Sequence, residues 1–210
     1  PFDYPLSSRF DENDTVIVLD HVFIPWENVL AYKNVDIANN FVPGMNFVNR
    51  FSIHGATRLA VKLDFMVGLL VKATDGAGTR QFRGVQANVG EVIALRNMIW
   101  SLTTAMAADP DEGRNGIPIP NTQAATAYRV LAPMTWIRVK NIFEQVVAGG
   151  LIQVPSSSRD FLNDDLRPYV DRYYRGTGID AEERVKLLKM VWDAIGTEFG
   201  GRHELYEINY

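Results

Sequence analysis

The sequence predicts a mainly α protein: a bundle of long helices reached through a short β-containing lead-in. Three observations carry that expectation. Apolar residues recur every three or four positions over most of the chain beyond Arg50. Glycine and proline clusters punctuate those stretches. The one run of β-branched, alternating character lies before Pro25.

Taken in order, Asp11, Glu12, Asn13 and Asp14 read as a turn, residues 15–19 as a strand, and residues 21–24 as a second strand that Pro25 ends. Beyond Arg50, the residues Ala56, Leu59, Leu63, Met66 and Leu70 share one face while Arg58, Lys62, Asp64 and Lys72 turn elsewhere, an amphipathic helix that Gly76 and Gly78 break. A second helix is expected over residues 82–108, through Val85, Val89, Val92, Ile99 and Leu102, and residues 110–120 form a loop by composition. A third runs from an Asn121 cap to residue 148; Pro133 should kink or split it and the Gly149-Gly150 pair should close it. Residues 161–178 look like short irregular or helical pieces. Val185, Leu188, Trp192, Ile195 and Phe199 then mark a last helix with one continuous apolar stripe over residues 181–199.

The balance of side chains excludes several classes of protein. The chain has 210 residues, 47% of them hydrophobic, and no cysteine. That is enough for one sizeable core without a metal or disulfide staple, and it excludes cysteine nucleophiles and cysteine zinc sites. A net charge of −4, with basic residues scattered, argues against a nucleic-acid partner. The longest apolar stretches, such as residues 97–108, are too short to span a bilayer, so no membrane segment is expected. The first residues carry no signal-peptide pattern, which together with the missing cysteines points to the cytoplasm. Both ends read as cut from something longer.

The common catalytic patterns fail: there is no G-x-S-x-G, H-E-x-x-H or G-K-[ST]. His203 and Glu207 share a helix spacing that could make half a metal site, but an ordinary polar pair explains them and no second pair of ligands accompanies them, so no metal is assigned. Two segments have composition suited to a phosphorylated ligand. In the first, Arg80, Gln81 and Phe82 stand between Gly78 and Gly84 at the entrance of the second helix, where amides, a positive dipole end and guanidinium donors suit a diphosphate. The alternative is a solvated helix-start loop. In the second, Phe199, Gly200, Gly201 and Arg202 offer a glycine pair for close backbone approach beside a charge, with a plain glycine helix stop as the alternative.

At these residues the chain resembles a known family. Pro5-Leu6-Ser7-Ser8-Arg9-Phe10-Asp11-Glu12-Asn13-Asp14, Ile24-Pro25-Trp26-Glu27-Asn28-Val29, Arg58-Leu59-Ala60-Val61-Lys62-Leu63-Asp64-Phe65, Phe82-Arg83-Gly84-Val85-Gln86 and Trp192-Asp193-Ala194-Ile195-Gly196, running on through Phe199-Gly200-Gly201-Arg202-His203-Glu204-Leu205-Tyr206-Glu207, resemble the 4-hydroxyphenylacetate 3-hydroxylase family, the oxygenase components of two-component monooxygenases. The resemblance implies an acyl-CoA-dehydrogenase-like fold. Residues 1–33 would be the end of a middle β domain, 34–46 a linker and 47–210 a C-terminal helix bundle that associates as a homodimer or homotetramer. It implies a reduced-FAD-dependent aromatic hydroxylase: a separate NAD(P)H–flavin reductase supplies reduced FAD, dioxygen adds at the flavin C4a position, and the resulting hydroperoxide turns a para-substituted phenol such as 4-hydroxyphenylacetate into a catechol. The family's phenol-holding residues lie upstream of residue 1, so no catalytic residue is assigned.

Carried over residue by residue, the resemblance makes Phe199, Gly200, Gly201 and Arg202 flavin contacts. More loosely, it makes Arg80, Gln81 and Phe82 contacts to the FAD of a neighbouring subunit. Other readings stay open: a related halophenol or pyrrole-acid monooxygenase, a hydroxyacyl-CoA dehydratase with an iron–sulfur cluster, or a non-catalytic oligomerising bundle. The 210 residues alone are expected to bind flavin weakly or not at all, and to be inactive.

Overall fold

The computed structural model describes residues 1–10 and 15–209. The turn expected over Asp11 to Asp14 therefore lies outside the described residues. A 3-10 turn at Trp26–Asn28 leads to α1 (Val35–Gly44), α2 (Phe47–Ala77) and α3 (Arg83–Ala108). The two-residue strands β1 (Asp111–Glu112) and β2 (Pro118–Ile119) form a small antiparallel ladder before α4 (Thr122–Gln153). After a second 3-10 turn at Ser158–Leu162 come α5 (Arg167–Tyr173), α6 (Ala181–Ile195) and α7 (Glu198–Ile208).

α2, α3 and α4 pack on one another, α6 lies against α2 and α4, and α7 closes against α4 and α6. The periodicity of the sequence is the periodicity of this core. Leu59, Leu63, Met66 and Leu70 from α2 meet Val92, Ile99 and Met106 from α3 and Tyr128, Trp136, Ile142 and Phe143 from α4, all fully buried. Each such aliphatic side chain withdrawn from water contributes about 1.5–3 kcal/mol. Gly78 ends α2 in the left-handed region at φ 70°, where a side chain would be strained. Asn121 caps α4 by accepting from the Ala124 amide.

Four expectations need correction. Residues 15–24 form no strand: among the described residues the only ladder is β1–β2, and side chains such as Val16 and Phe23 are 89% and 85% exposed. β-branched composition favours an extended backbone, but a strand also needs a neighbour to take its amides. The stretch expected as a linker carries α1, whose cap Asn34 accepts from the Ile37 amide. α4 runs unbroken through Pro133 and the Gly149-Gly150 pair to Gln153. Buried Ala132 and Trp136 flank the proline, and at Gly150 a Cβ would lie 3.1 Å from the Leu188 side chain, so there the missing side chain admits α6 rather than ending α4. Finally, the last helix is two. Gly196 and Thr197 separate α6 from α7, and Trp192 leaves the apolar stripe with its ring laid over Gly196, where a Cβ would meet it at 2.6 Å.

A cleft at the start of the last helix

At the break between α6 and α7 lies a cleft of about 710 Å³ whose lining includes Ser7, Ser8, Phe10, Phe199, Arg202 and His203. Its size falls within the range of about 300–1,000 Å³ usual for cofactor sites.

One carboxylate builds it. Asp193, 0% exposed near the end of α6, accepts from the amides of Leu6 at 2.7 Å and Ser7 at 2.9 Å and from the hydroxyl of Thr197 at 2.6 Å, and it also takes the Ser7 hydroxyl. The N-terminal segment is thereby laid across the α6–α7 junction and becomes one wall of the cleft. Burial pushes the Asp193 pKa up, but the hydrogen bonds from Ser7, Thr197 and Leu6 outweigh it and hold the carboxyl below its ordinary value.

The other wall is the first turns of α7. Phe199 packs against His203 with ring centroids 4.2 Å apart and planes tilted by 47°, and its ring lies 6.4 Å from that of Phe10. Arg202 pairs with Glu198 one turn earlier, and both line the cleft. Gly200 is buried against α6, whereas Gly201 has open space where a Cβ would stand. The pair therefore stops no helix: both glycines lie inside α7, and the bare Cα of Gly200 serves the chain's own packing.

Behind the cleft a buried charge cluster fixes α7 to the bundle. Glu207, 0% exposed, faces Arg58 at 3.4 Å and Lys62 at 3.8 Å, so its carboxylate turns to cations of α2. Arg58 also donates to the Tyr206 carbonyl, and Lys62 donates to that of His203 and lies 3.6 Å from the centre of the Trp136 ring. Burial raises the Glu207 pKa against the opposing pull of Lys62 and Arg58. The same burial, reinforced by Lys62 and Arg58, lowers that of His203 to about 4, so the imidazole is neutral at physiological pH.

Arg80, Gln81 and Phe82 lie elsewhere. They precede α3, with the Arg80 guanidinium held by both oxygens of Asp75 at 3.1 and 2.8 Å and Phe82 exposed. Asp75 and Lys62 stand on the same helix, separated by about 20 Å at 1.5 Å per residue. A single copy of the chain therefore does not bring the two candidate cofactor segments together. Sequence reading missed Ser7, Ser8, Trp192, Asp193 and the Glu207 cluster; the available signal for Asp193 was a carboxylate set within an apolar stripe, one helical turn before Thr197.

The donor set suits an anionic, ring-bearing ligand. Arg202 supplies charge, Ser7 and Ser8 hydroxyls, the α7 start amides at the positive dipole end, and Phe10 and Phe199 flat apolar faces.

Comparison with known proteins identifies the family. The family model described as 4-hydroxyphenylacetate 3-hydroxylase C terminal matches residues 38–210, and the one described as 4-hydroxyphenylacetate 3-hydroxylase N terminal matches residues 1–31. A 4-hydroxyphenylacetate 3-monooxygenase oxygenase component of Pseudomonas aeruginosa is 56% identical over the whole chain and 41% of that protein. A 4-nitrophenol 2-monooxygenase oxygenase component of a Rhodococcus species is 52% identical over the whole chain and 40% of that protein. The chain thus spans about two fifths of the length of the curated relatives it matches. Among solved structures, an oxygenase component of 4-hydroxyphenylacetate 3-monooxygenase complexed with FAD and 4-hydroxyphenylacetate superposes with a TM-score of 0.89 at 32% identity, covering 99% of this chain and 43% of that one. An archaeal 4-hydroxybutyryl-CoA dehydratase, at 20% identity and a TM-score of 0.75, covers 90% of this chain and 37% of that one and shares the fold alone.

Proposed function

The chain belongs to the 4-hydroxyphenylacetate 3-hydroxylase family, and from that premise we propose that it holds flavin for an oxygenase component that uses reduced FAD to convert a para-substituted phenol into a catechol. The observation that carries the reading is the meeting of Phe199, Arg202, Ser7 and Ser8 on one cleft at the start of α7. Arg202 and the first amides of α7 neutralise the diphosphate, the open Cα of Gly201 lets it come close, and Phe199 packs on the ligand's apolar surface. Gly200 serves the chain's own packing and drops out of the contact set. Neutral His203 backs Phe199 without adding charge. Bound reduced FAD supplies the electrons for activating dioxygen, one atom of which enters the ring ortho to the phenol hydroxyl while the other leaves as water.

Arg80, Gln81 and Phe82 serve the FAD of a second copy in a homodimer or homotetramer, since Asp75, which holds Arg80, stands about 20 Å along α2 from Lys62, which holds α7. A separate NAD(P)H–flavin reductase delivers the reduced cofactor. The substrate class is set no more finely than a para-substituted phenol, because relatives of nearly equal identity are named for 4-hydroxyphenylacetate and for 4-nitrophenol. The test is turnover of the complete polypeptide with reductase, NADH, FAD and a panel of para-substituted phenols under ¹⁸O₂. Labelled catechol is expected; no flavin-dependent oxygen incorporation into any aromatic would end the proposal.

A further inference from the structure

The helix α7 has little apolar anchorage of its own. Its buried residues are Gly200 and Glu207, while Phe199 and Ile208 are packed only in part against the core. Apolar contact is in any case non-directional, so it brings a helix to a core without choosing its rotation or axial register. For α7 that choice falls to polar ties. Arg58 and Lys62, one turn apart on α2, donate at 3.0 and 3.2 Å to the carbonyls of Tyr206 and His203, one turn apart on α7. Two directional bonds at matched spacing fix rotation and register together. Glu207 faces both cations and offsets part of their charge, and Lys140 of α4 adds a third tie, to Glu204 at 2.5 Å. Buried ionic groups add little net stability; their best-attested use is to select one register.

Building on the flavin reading above, we infer that Arg58 and Lys62 are positioning residues, which set the register of α7 against the bundle and thereby the place at which Gly201 and Arg202 meet the cofactor. Neither lines the cleft, so both act through α7. The path is short. Lys62 holds the His203 carbonyl, the His203 ring packs against Phe199, and Arg202 is the adjoining residue. A slip of one residue would move α7 by about 1.5 Å and turn Arg202 by about 100° around the helix axis. A displacement of about 1 Å is already enough to cost a well-oriented site most of its advantage.

The experiment is a double-mutant cycle on the complete polypeptide, read as anaerobic affinity for reduced FAD, with thermal melts to establish that each variant is folded at the assay temperature. Lys62→Met combined with Glu207→Gln removes one charge of each sign and so leaves the net charge of the cluster unchanged. The pair is expected to weaken FAD roughly tenfold. Arg202→Ala, which should cost the parent about as much, should cost this background less than about threefold, since a misplaced guanidinium has little left to lose. Lys62→Arg, which keeps a cationic donor, should restore parental affinity. If the paired variant does not fold, Arg58→Lys carries the same cycle, because it keeps the charge and loses the reach to the Tyr206 carbonyl; the same non-additivity with Arg202→Ala is expected. Additive losses would overturn the inference and leave the flavin reading standing, as would parental affinity in the paired variant or a Lys62→Arg protein as weak as the pair. A parent protein that binds no reduced FAD, or whose affinity ignores Arg202→Ala, would overturn the flavin reading and the inference with it.

Discussion

Gly200 presses its bare Cα against the backbone of Ala194. A Cβ at this position would lie 2.8 Å from the Ala194 carbonyl oxygen and 2.7 Å from its carbon, with no flexible side chain to move aside. Gly200→Ala is therefore expected to destabilise the fold by about 1–3 kcal/mol through overpacking. At the next residue, where the space is open, Gly201→Ala should raise stability by up to about 1 kcal/mol on helix propensity while weakening FAD binding. Denaturant melts paired with FAD titration separate the two neighbours.

Arg202→Ala should weaken FAD binding by about 1–3 kcal/mol, the scale of a hydrogen bond to a charged group. Its partner Glu198 lines the same cleft and holds the guanidinium in the absence of ligand. Glu198→Gln should have the opposite sign, tightening FAD by removing a like charge near the diphosphate. Neither change should move the melting temperature much, since an exposed pair of this kind contributes about 0–1 kcal/mol. Isothermal titration of both variants checks the opposition.

Asp193→Ala removes the acceptor of buried amides and hydroxyls on two separate segments, and should cost about 2–4 kcal/mol. Because the folded pKa of Asp193 lies below its ordinary value, the stabilisation it confers is complete above about pH 4 and is lost as pH falls through the lowered folded value. Asp193→Asn should flatten that part of the pH–stability curve. Urea melts between pH 2.5 and pH 6 are the measurement.

Glu207 and His203 give pH dependences of opposite sign. His203 binds its proton at about 4 when folded against 6.5 ordinarily, so stability is full above 6.5 and declines as pH falls toward 4. Glu207, raised above 4.5, is more stable folded when protonated, and stability declines as pH climbs through its raised value. Above pH 4.5 the two act in opposite directions while both still titrate. Glu207→Gln should expose a steeper gain with rising pH and His203→Gln should erase it. NMR of the His203 ring should show a neutral imidazole down to about pH 4.

The bundle was readable because its signal is local: Leu59, Leu63, Met66 and Leu70 repeat at helical spacing and all reach 0–1% exposure. Glycine and proline misled where tertiary packing overrides local preference. Gly150 and Gly200 admit a neighbouring element instead of ending a helix, and the missing amide of Pro133 is tolerated within a long packed helix. Of the candidate site, Phe199 and Arg202 were legible as a segment, but Ser7 and Asp193 were not, since nothing in a linear reading joins residues 186 positions apart. The Glu207 cluster was hidden for the same reason. A carboxylate that pairs within its own helix and one that crosses to α2 look alike in sequence.

The Ser7–Asp193 tie also sets an order of events during synthesis. Residues 5–8 leave the ribosome well before α6 and Thr197 and must wait, without that docking place, until these have followed them out. A closure this distant along the chain is slow to form compared with neighbouring helix contacts. The nascent bundle can therefore assemble from α2, α3 and α4 while the cleft at the start of α7 still lacks a wall.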